Sequence, residues 1–164
     1  MKKIIYWILL LCLVVGCQKS DIAYDIEARQ KHVENATLIN FSSSEPWGRW
    51  SESSYAVIAY KKELPRKLRL YLYTVGLYAT SKNAPIYLTI GGESKEIQIM
   101  GIKGSAISAP IQEYQVDFKN ISKGATSIKF DFPSPKSPYE LGLGDDKRLL
   151  GMGLVEIKIR PIED

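Results

Sequence analysis

A chain of 164 residues with 22 Lys and Arg against 18 Asp and Glu carries a net charge of only +4, too small and too evenly spread for the electrostatic footprint of a nucleic-acid-binding protein. The only His, His32, and both Cys, Cys12 and Cys17, precede residue 36, where the domain is expected to begin, so the domain lacks the histidine of Ser-His-Asp chemistry and the His and Cys ligands of a metal site. The length left after the first sixteen residues is that of a single domain, and ten Tyr with three Trp favour strands, whose pleated surfaces suit aromatic and β-branched side chains.

Lys2 and Lys3 precede an apolar run from Ile4 to Val15, and the chain turns polar at Gln18-Lys19-Ser20. That order is a secretory signal. The run is about a dozen residues long, short of the ~20 needed to span a hydrocarbon core. Small residues ahead of Cys17 resemble the bacterial lipobox, which implies that Cys17 is lipid-modified and becomes the first mature residue. No Asp follows Cys17, so the expected place is the outer membrane, facing the periplasm. Cys12 leaves with the signal and Cys17 is blocked by lipid, so the mature domain is expected to have no disulfide and no thiol nucleophile. The sequence requires no cofactor.

Residues 17–35 are polar, with Ile22, Ile26 and Val33 as their sizeable aliphatic groups and His32 among them. They predict a lipid-anchored linker with a turn or two of helix. From residue 36 to residue 164 the pattern changes to short runs of period two, separated by Gly, Pro, Ser and Asn. Strands are predicted at Ala36 to Phe41, Trp47 to Trp50, Tyr55 to Lys61, Lys67 to Ala79 and Ile86 to Ile90. Four more are predicted at Lys95 to Met100, Glu113 to Phe118, Ser127 to Phe132 and Gly153 to Arg160. Leu68, Leu70 and Leu72 alternate with Arg69, Tyr71 and Tyr73, so one face is aliphatic. Gly91-Gly92 predicts a hairpin turn. This many strands without a helical crossover predict an all-β, antiparallel β-sandwich of jelly-roll topology, with an immunoglobulin-like order as the alternative. Residues 133–147, with three prolines, must form a loop over the sandwich.

Two blocks concentrate rigid surface and charge: Glu45-Pro46-Trp47-Gly48-Arg49-Trp50-Ser51, and Ser137-Pro138 through Gly142 with Asp145-Asp146-Lys147-Arg148-Leu149-Leu150-Gly151. Together they resemble the C-terminal β-sandwich module of phosphoglycerol transferases of the periplasmic-glucan type and of some membrane glycosyltransferases. The resemblance covers about residues 38 to 160. It implies a noncatalytic companion of enzymes that build or decorate glycans, with a carbohydrate-binding-like fold. Those relatives carry a transferase or membrane domain as well, whereas this chain is expected to be a free-standing lipoprotein.

The candidate ligand site is Glu45, Trp47, Arg49, Trp50, Asp145, Asp146 and Arg148. A flat indole suits the C–H face of a sugar ring, while carboxylate and guanidinium suit its hydroxyls. A spacing of three predicts Trp47 and Trp50 on opposite faces of one strand, one in the core and one outward. The same charges could instead form a buried ion-pair network, with Arg49 on Asp145 or Asp146, that pins the loop to the sandwich. Two carboxyls drawn from Glu45, Glu140, Asp145 and Asp146 satisfy the bare requirement of glycoside hydrolysis, and Gly142 to Asp146 that of a calcium loop. The expected partners are the membrane, through Cys17, and a cell-envelope glycan or glycan-synthesis protein. Two functions follow: a noncatalytic glycan-binding or glycan-assembly lipoprotein, or a structural lipoprotein whose outward Tyr face on the Lys67 to Tyr73 strand docks another protein.

Overall fold

The computed structural model describes residues 24–102 and 106–163. The signal segment and Cys17 lie outside the described residues. In chain order the strands are β1 (Ile26–Glu27), β2 (Ala36–Ile39), β3 (Arg49–Trp50), β4 (Tyr55–Tyr60), β5 (Leu68–Tyr78), β6 (Asn83–Ile90), β7 (Glu93–Ile102), β8 (Gln112–Phe118), β9 (Ser127–Asp131) and β10 (Met152–Pro161). A 3-10 turn, Ala106–Ser108, lies between β7 and β8.

One sheet is built on β10 and β5. β8 lies along the other edge of β5, and β3 and then β1 share the outer edge of β10. The second sheet runs β2-β4-β9-β6-β7. At one corner β7 leaves it and runs parallel to the end of β5, pairing Gly101 with Leu77 and Ile102 with Tyr78. The product is an antiparallel β-sandwich of jelly-roll type, and early and late strands meet in one sheet as that topology requires.

The core follows from the alternation. Leu68, Leu70 and Leu72 of β5, Ile157 and Ile159 of β10, and Phe118 of β8 face Ile58, Ile86, Leu88, Ile90, Ile128 and Phe130 of the other sheet, all of them buried. Each such side chain contributes about 1.5–3 kcal/mol by leaving water. Gly91 and Gly92, at φ 52° and 87°, make the two-residue turn between β6 and β7, and their left-handed conformation is that of the tight hairpin turn.

Two expectations change. The segment read as linker contributes β1, because Ile26 is buried in the core and pairs with Ile157 on the open edge of β10. The strand expected at Trp47 to Trp50 shrinks to Arg49–Trp50, because a tight turn precedes it. Residues 133–147 form a loop as expected, touching the sheet through the bridge Lys136↔Leu150.

The sandwich has two ends. At the upper end β5 finishes at Tyr78 and β10 begins at Met152. At the lower end β5 starts at Leu68 and β10 finishes at Pro161. The blocks singled out above flank the start of β10 and therefore lie at the upper end.

Candidate functional site

In the turn before β3, Glu45 N–H donates to Gly48 O (2.8 Å) and Gly48 N–H to Glu45 O (3.2 Å). Gly48 is pressed against β10, where an added Cβ would lie 2.1 Å from Leu154 O. The turn reverses the alternation that a continuous strand would impose. Trp47 and Trp50 consequently sit on the same side, edge to face at 5.2 Å and 66°, instead of on opposite faces. Trp50 is buried and stacks on Tyr78 at 4.7 Å, in a small second core with Val75, Ile102, Ala106 and Leu150. Both indoles close over Gly153, where a Cβ would meet Trp50 Cζ3 at 3.0 Å and Trp47 Cη2 at 3.1 Å. Aromatic pairs of this geometry contribute about 0.5–1.5 kcal/mol beyond their buried area.

Trp47 keeps part of its ring exposed, and its orientation is locked. Its Nε1–H donates to Glu45 Oε2 at 2.9 Å, so the Glu45 carboxylate is an indole holder. The ring walls a cleft of about 340 Å³ together with Pro46, Ile111 and Val155, and Glu27, Arg29 and Glu156 supply its polar groups. Arg29 Nε lies 3.2 Å from Glu27 Oε2. These polar groups were not singled out from the sequence. Glu27 and Arg29 belong to the segment read as linker, and Glu156 is one of several charges along β10, so no local signal marked them.

Among the described residues Arg49 pairs with no acid. Its Nε donates to Ala28 O (2.9 Å), its Nη1 to Ser42 O (2.7 Å) and its Nη2 to Gln30 O (2.8 Å) and Lys31 O (3.2 Å). It is a clamp on backbone carbonyls that fastens residues 28–31 to the sandwich, and burial lowers its pKa. The expected Arg49–Asp146 contact is thereby corrected, because the fork is filled by carbonyl oxygens.

The two blocks nevertheless meet. Arg148 donates through Nη2 to Asp146 Oδ2 (2.6 Å), through Nε to both Asp146 oxygens (3.1 Å each), and through Nη1 to Glu52 beside β3. The Arg148 hydrogen bonds hold the Asp146 carboxyl below its ordinary pKa, and Asp146 in turn raises that of Arg148. Ser51 ties the backbones: Ser51 N–H donates to Met152 O at 3.0 Å and Met152 N–H to Ser51 Oγ at 2.8 Å. Half of the Arg148 side chain is exposed, so the contact is a surface network and not a buried one.

Asp145 is exposed. Among the described residues no group of three or more His, Cys, Asp or Glu could hold a metal ion, and both Asp146 oxygens are occupied by Arg148. Glu140 accepts Ser137 N–H at 2.9 Å and turns inward on its own loop. Of the candidate set, Trp47, with Glu45 behind it and Trp50 beneath it, stands at the cleft, while Asp146 and Arg148 serve the loop. The Tyr face of β5 is overlaid by charge, with Lys158 Nζ 4.9 Å from the Tyr73 ring centroid and Arg69 paired to Asp117 at 2.7 Å.

Phosphoglycerol transferase I of Salmonella paratyphi B is 32% identical over 126 residues, covering 74% of this chain and 15% of that protein. The chain therefore spans a small part of the relatives it matches. Among solved structures, the carbohydrate-binding module CBM36 in complex with calcium and xylotriose is similar at a TM-score of 0.47, with 14% identity, over 83% of this chain and 98% of that one. CBM35 from Paenibacillus barcinonensis is similar at a TM-score of 0.46, with 9% identity, over 84% and 98%. The resemblance to phosphoglycerol transferases is borne out by the first of these. A family model described as Domain of unknown function (DUF7024) matches residues 16–161, and the chain belongs to that family.

Proposed function

We propose that this protein is a noncatalytic glycan-binding lipoprotein of the cell envelope, anchored through Cys17 in the outer membrane and facing the periplasm. The observation that carries the glycan reading is Trp47, a partly exposed indole whose plane is fixed by Glu45 and Trp50 and which faces a cleft edged by Glu27, Arg29 and Glu156. A sugar ring lays its C–H face on the indole, its hydroxyls bond to the two carboxylates and the guanidinium, and the rigid ring loses little entropy on binding. Relatedness to a phosphoglycerol transferase supports a role beside enzymes that modify glycans. Catalysis is not assigned, because Glu45, Asp146 and Glu140 are each committed to a structural hydrogen bond.

Calorimetric titration of the folded protein with envelope oligosaccharides tests this reading. Binding is expected for at least one glycan, weakened about tenfold by Trp47→Ala, the factor that corresponds to ~1.4 kcal/mol. A folded protein that binds none of them, or binds equally well without the indole, overturns it.

A further inference from the structure

The lower end of the sandwich, opposite the Trp47 cleft, gathers cations. The β4–β5 connection carries Lys61, Lys62, Arg66 and Lys67, and the β8–β9 connection carries Lys119 and Lys123, all exposed. The two connections are bound to one another: Leu64 N–H donates to Ala125 O (2.7 Å) and Ile121 N–H to Arg66 O (3.2 Å). Between them and Pro161 lies a groove of about 650 Å³ lined by Arg66, Lys67 and Lys119 with Asn120 and Ser122, and, among the described residues, by no carboxylate. Of the nearby acids, Glu63 accepts Gly124 N–H (2.6 Å) and Glu93 accepts the N–H groups of Lys119 (2.9 Å) and Asn120 (2.7 Å). Their charge is partly taken up by the loops they hold, while Glu34 and Glu163 stand exposed at the margin.

The N-terminal segment enters at this same end. Tyr24 Oη–H donates to Glu63 O (2.8 Å), and Asp25 accepts Ile159 N–H (3.2 Å) and pairs with Arg160 (2.6 Å) near the finish of β10. Six residues separate Cys17 from Tyr24, so the connection, even fully extended, reaches about 25 Å. A lipid on Cys17 would keep the basic end within a few Debye lengths of the headgroups.

We propose that the lower end is a membrane-docking surface, in which the groove between Arg66 and Lys119 takes the phosphate of an anionic phospholipid. Guanidinium and ammonium groups with amide and hydroxyl donors suit a phosphodiester headgroup. Docking there orients the Trp47 cleft away from the bilayer. The proposal rests on the lipid-anchor reading for its tether, and on the groove alone for its chemistry.

Hydrogen exchange of the purified full-length protein, reconstituted in phosphatidylcholine vesicles with or without phosphatidylglycerol, tests it. Residues 61–67 and 119–126 are expected to exchange about threefold more slowly with phosphatidylglycerol present, whereas residues 42–48 exchange alike. That difference should vanish in about 1 M salt, where the Debye length is about 3 Å, and in the Arg66→Gln/Lys119→Gln variant, whose sites are exposed and whose fold a thermal melt verifies. Equal exchange in the two vesicle types overturns the proposal. So does equal protection by soluble glycerol phosphate in phosphatidylcholine vesicles, which would make the groove a site for free phosphate esters. The mass of the same preparation reports acylation separately. If no acyl chain is present, the anchor reading fails while salt-sensitive cosedimentation with phosphatidylglycerol vesicles still supports the groove, and absence of cosedimentation overturns it.

Discussion

Arg148, in the loop before the last strand, donates to the carboxylate of Glu52, 96 residues earlier and just past β3. This pair closes the upper end of the sandwich in a side-chain contact, with Asp146 as its second acceptor. Both side chains are partly exposed, so the coupling should be small. A double-mutant cycle of Glu52→Ala and Arg148→Ala is expected to give at most ~1 kcal/mol, falling in high salt. A coupling several times larger would mean that the network is dry.

Arg49 should matter more. Arg49→Ala removes charge-assisted hydrogen bonds to four carbonyls and leaves part-buried acceptors unpaired, at a cost of about 2–3 kcal/mol. That corresponds to about 5–10 °C in Tm for a domain of this size. Arg49→Lys should recover little, since an ammonium lacks the fork that reaches several acceptors. Because Arg49 and Asp146 share no contact, their alanine variants should add in thermal melts.

Gly153→Ala should disturb the aromatic cluster directly. The added methyl would lie 2.5 Å from Val75 Cγ2 and about as near both indoles as packing permits. Overpacking of this kind costs about 1–3 kcal/mol. Near-ultraviolet circular dichroism should lose tryptophan intensity, and glycan affinity should fall with it.

Acid should destabilise the protein through paired carboxylates. Hydrogen bonding to Arg69 lowers the Asp117 pKa from 3.8, and hydrogen bonding to Arg148 lowers that of Asp146 from 3.8. Both folded values lie below the unfolded one, so the unfolded chain binds more protons between them. The stabilisation is complete above 3.8 and is lost as pH falls through the folded values. In thermal melts across this acidic range, Asp117→Asn should flatten the pH dependence. An unchanged slope would remove Asp117 from the explanation.

Metabolic labelling with a clickable fatty acid should mark the wild type and leave Cys17→Ser unlabelled. Equal labelling would refute the anchor.

Much of the sandwich was legible because its strands alternate large aliphatic residues with period two. Leu68-Leu70-Leu72 and the Gly91-Gly92 turn mark their own places. β1 was not legible, since two residues in a charged segment have no periodicity and owe their strand character to the open edge of β10. Trp50 is buried and Trp47 partly exposed, as the expected split into core and outward indole has it, but they do not lie on opposite faces, because alternation presumes an uninterrupted strand and the Glu45–Gly48 turn interrupts it. The partner of Arg49 was misjudged for another reason. A guanidinium is satisfied by carbonyls as well as by carboxylates, and backbone acceptors carry no sequence mark. The meeting of the two blocks was anticipated, but through different residues, Arg148 and Glu52.

The pairing of β1 with β10 bears on where this domain may be cut. A fragment starting at residue 36, the boundary that the periodicity suggests, would lack both Ile26 and three of the four carbonyls that Arg49 holds. β10 would then show a row of unpaired N–H and C=O groups along the stretch that begins at Glu156, beside a hole in the core where Ile26 had been. Such an open rim is a template for another chain. The shortened fragment should self-associate in solution, whereas one beginning at residue 24 should stay monomeric.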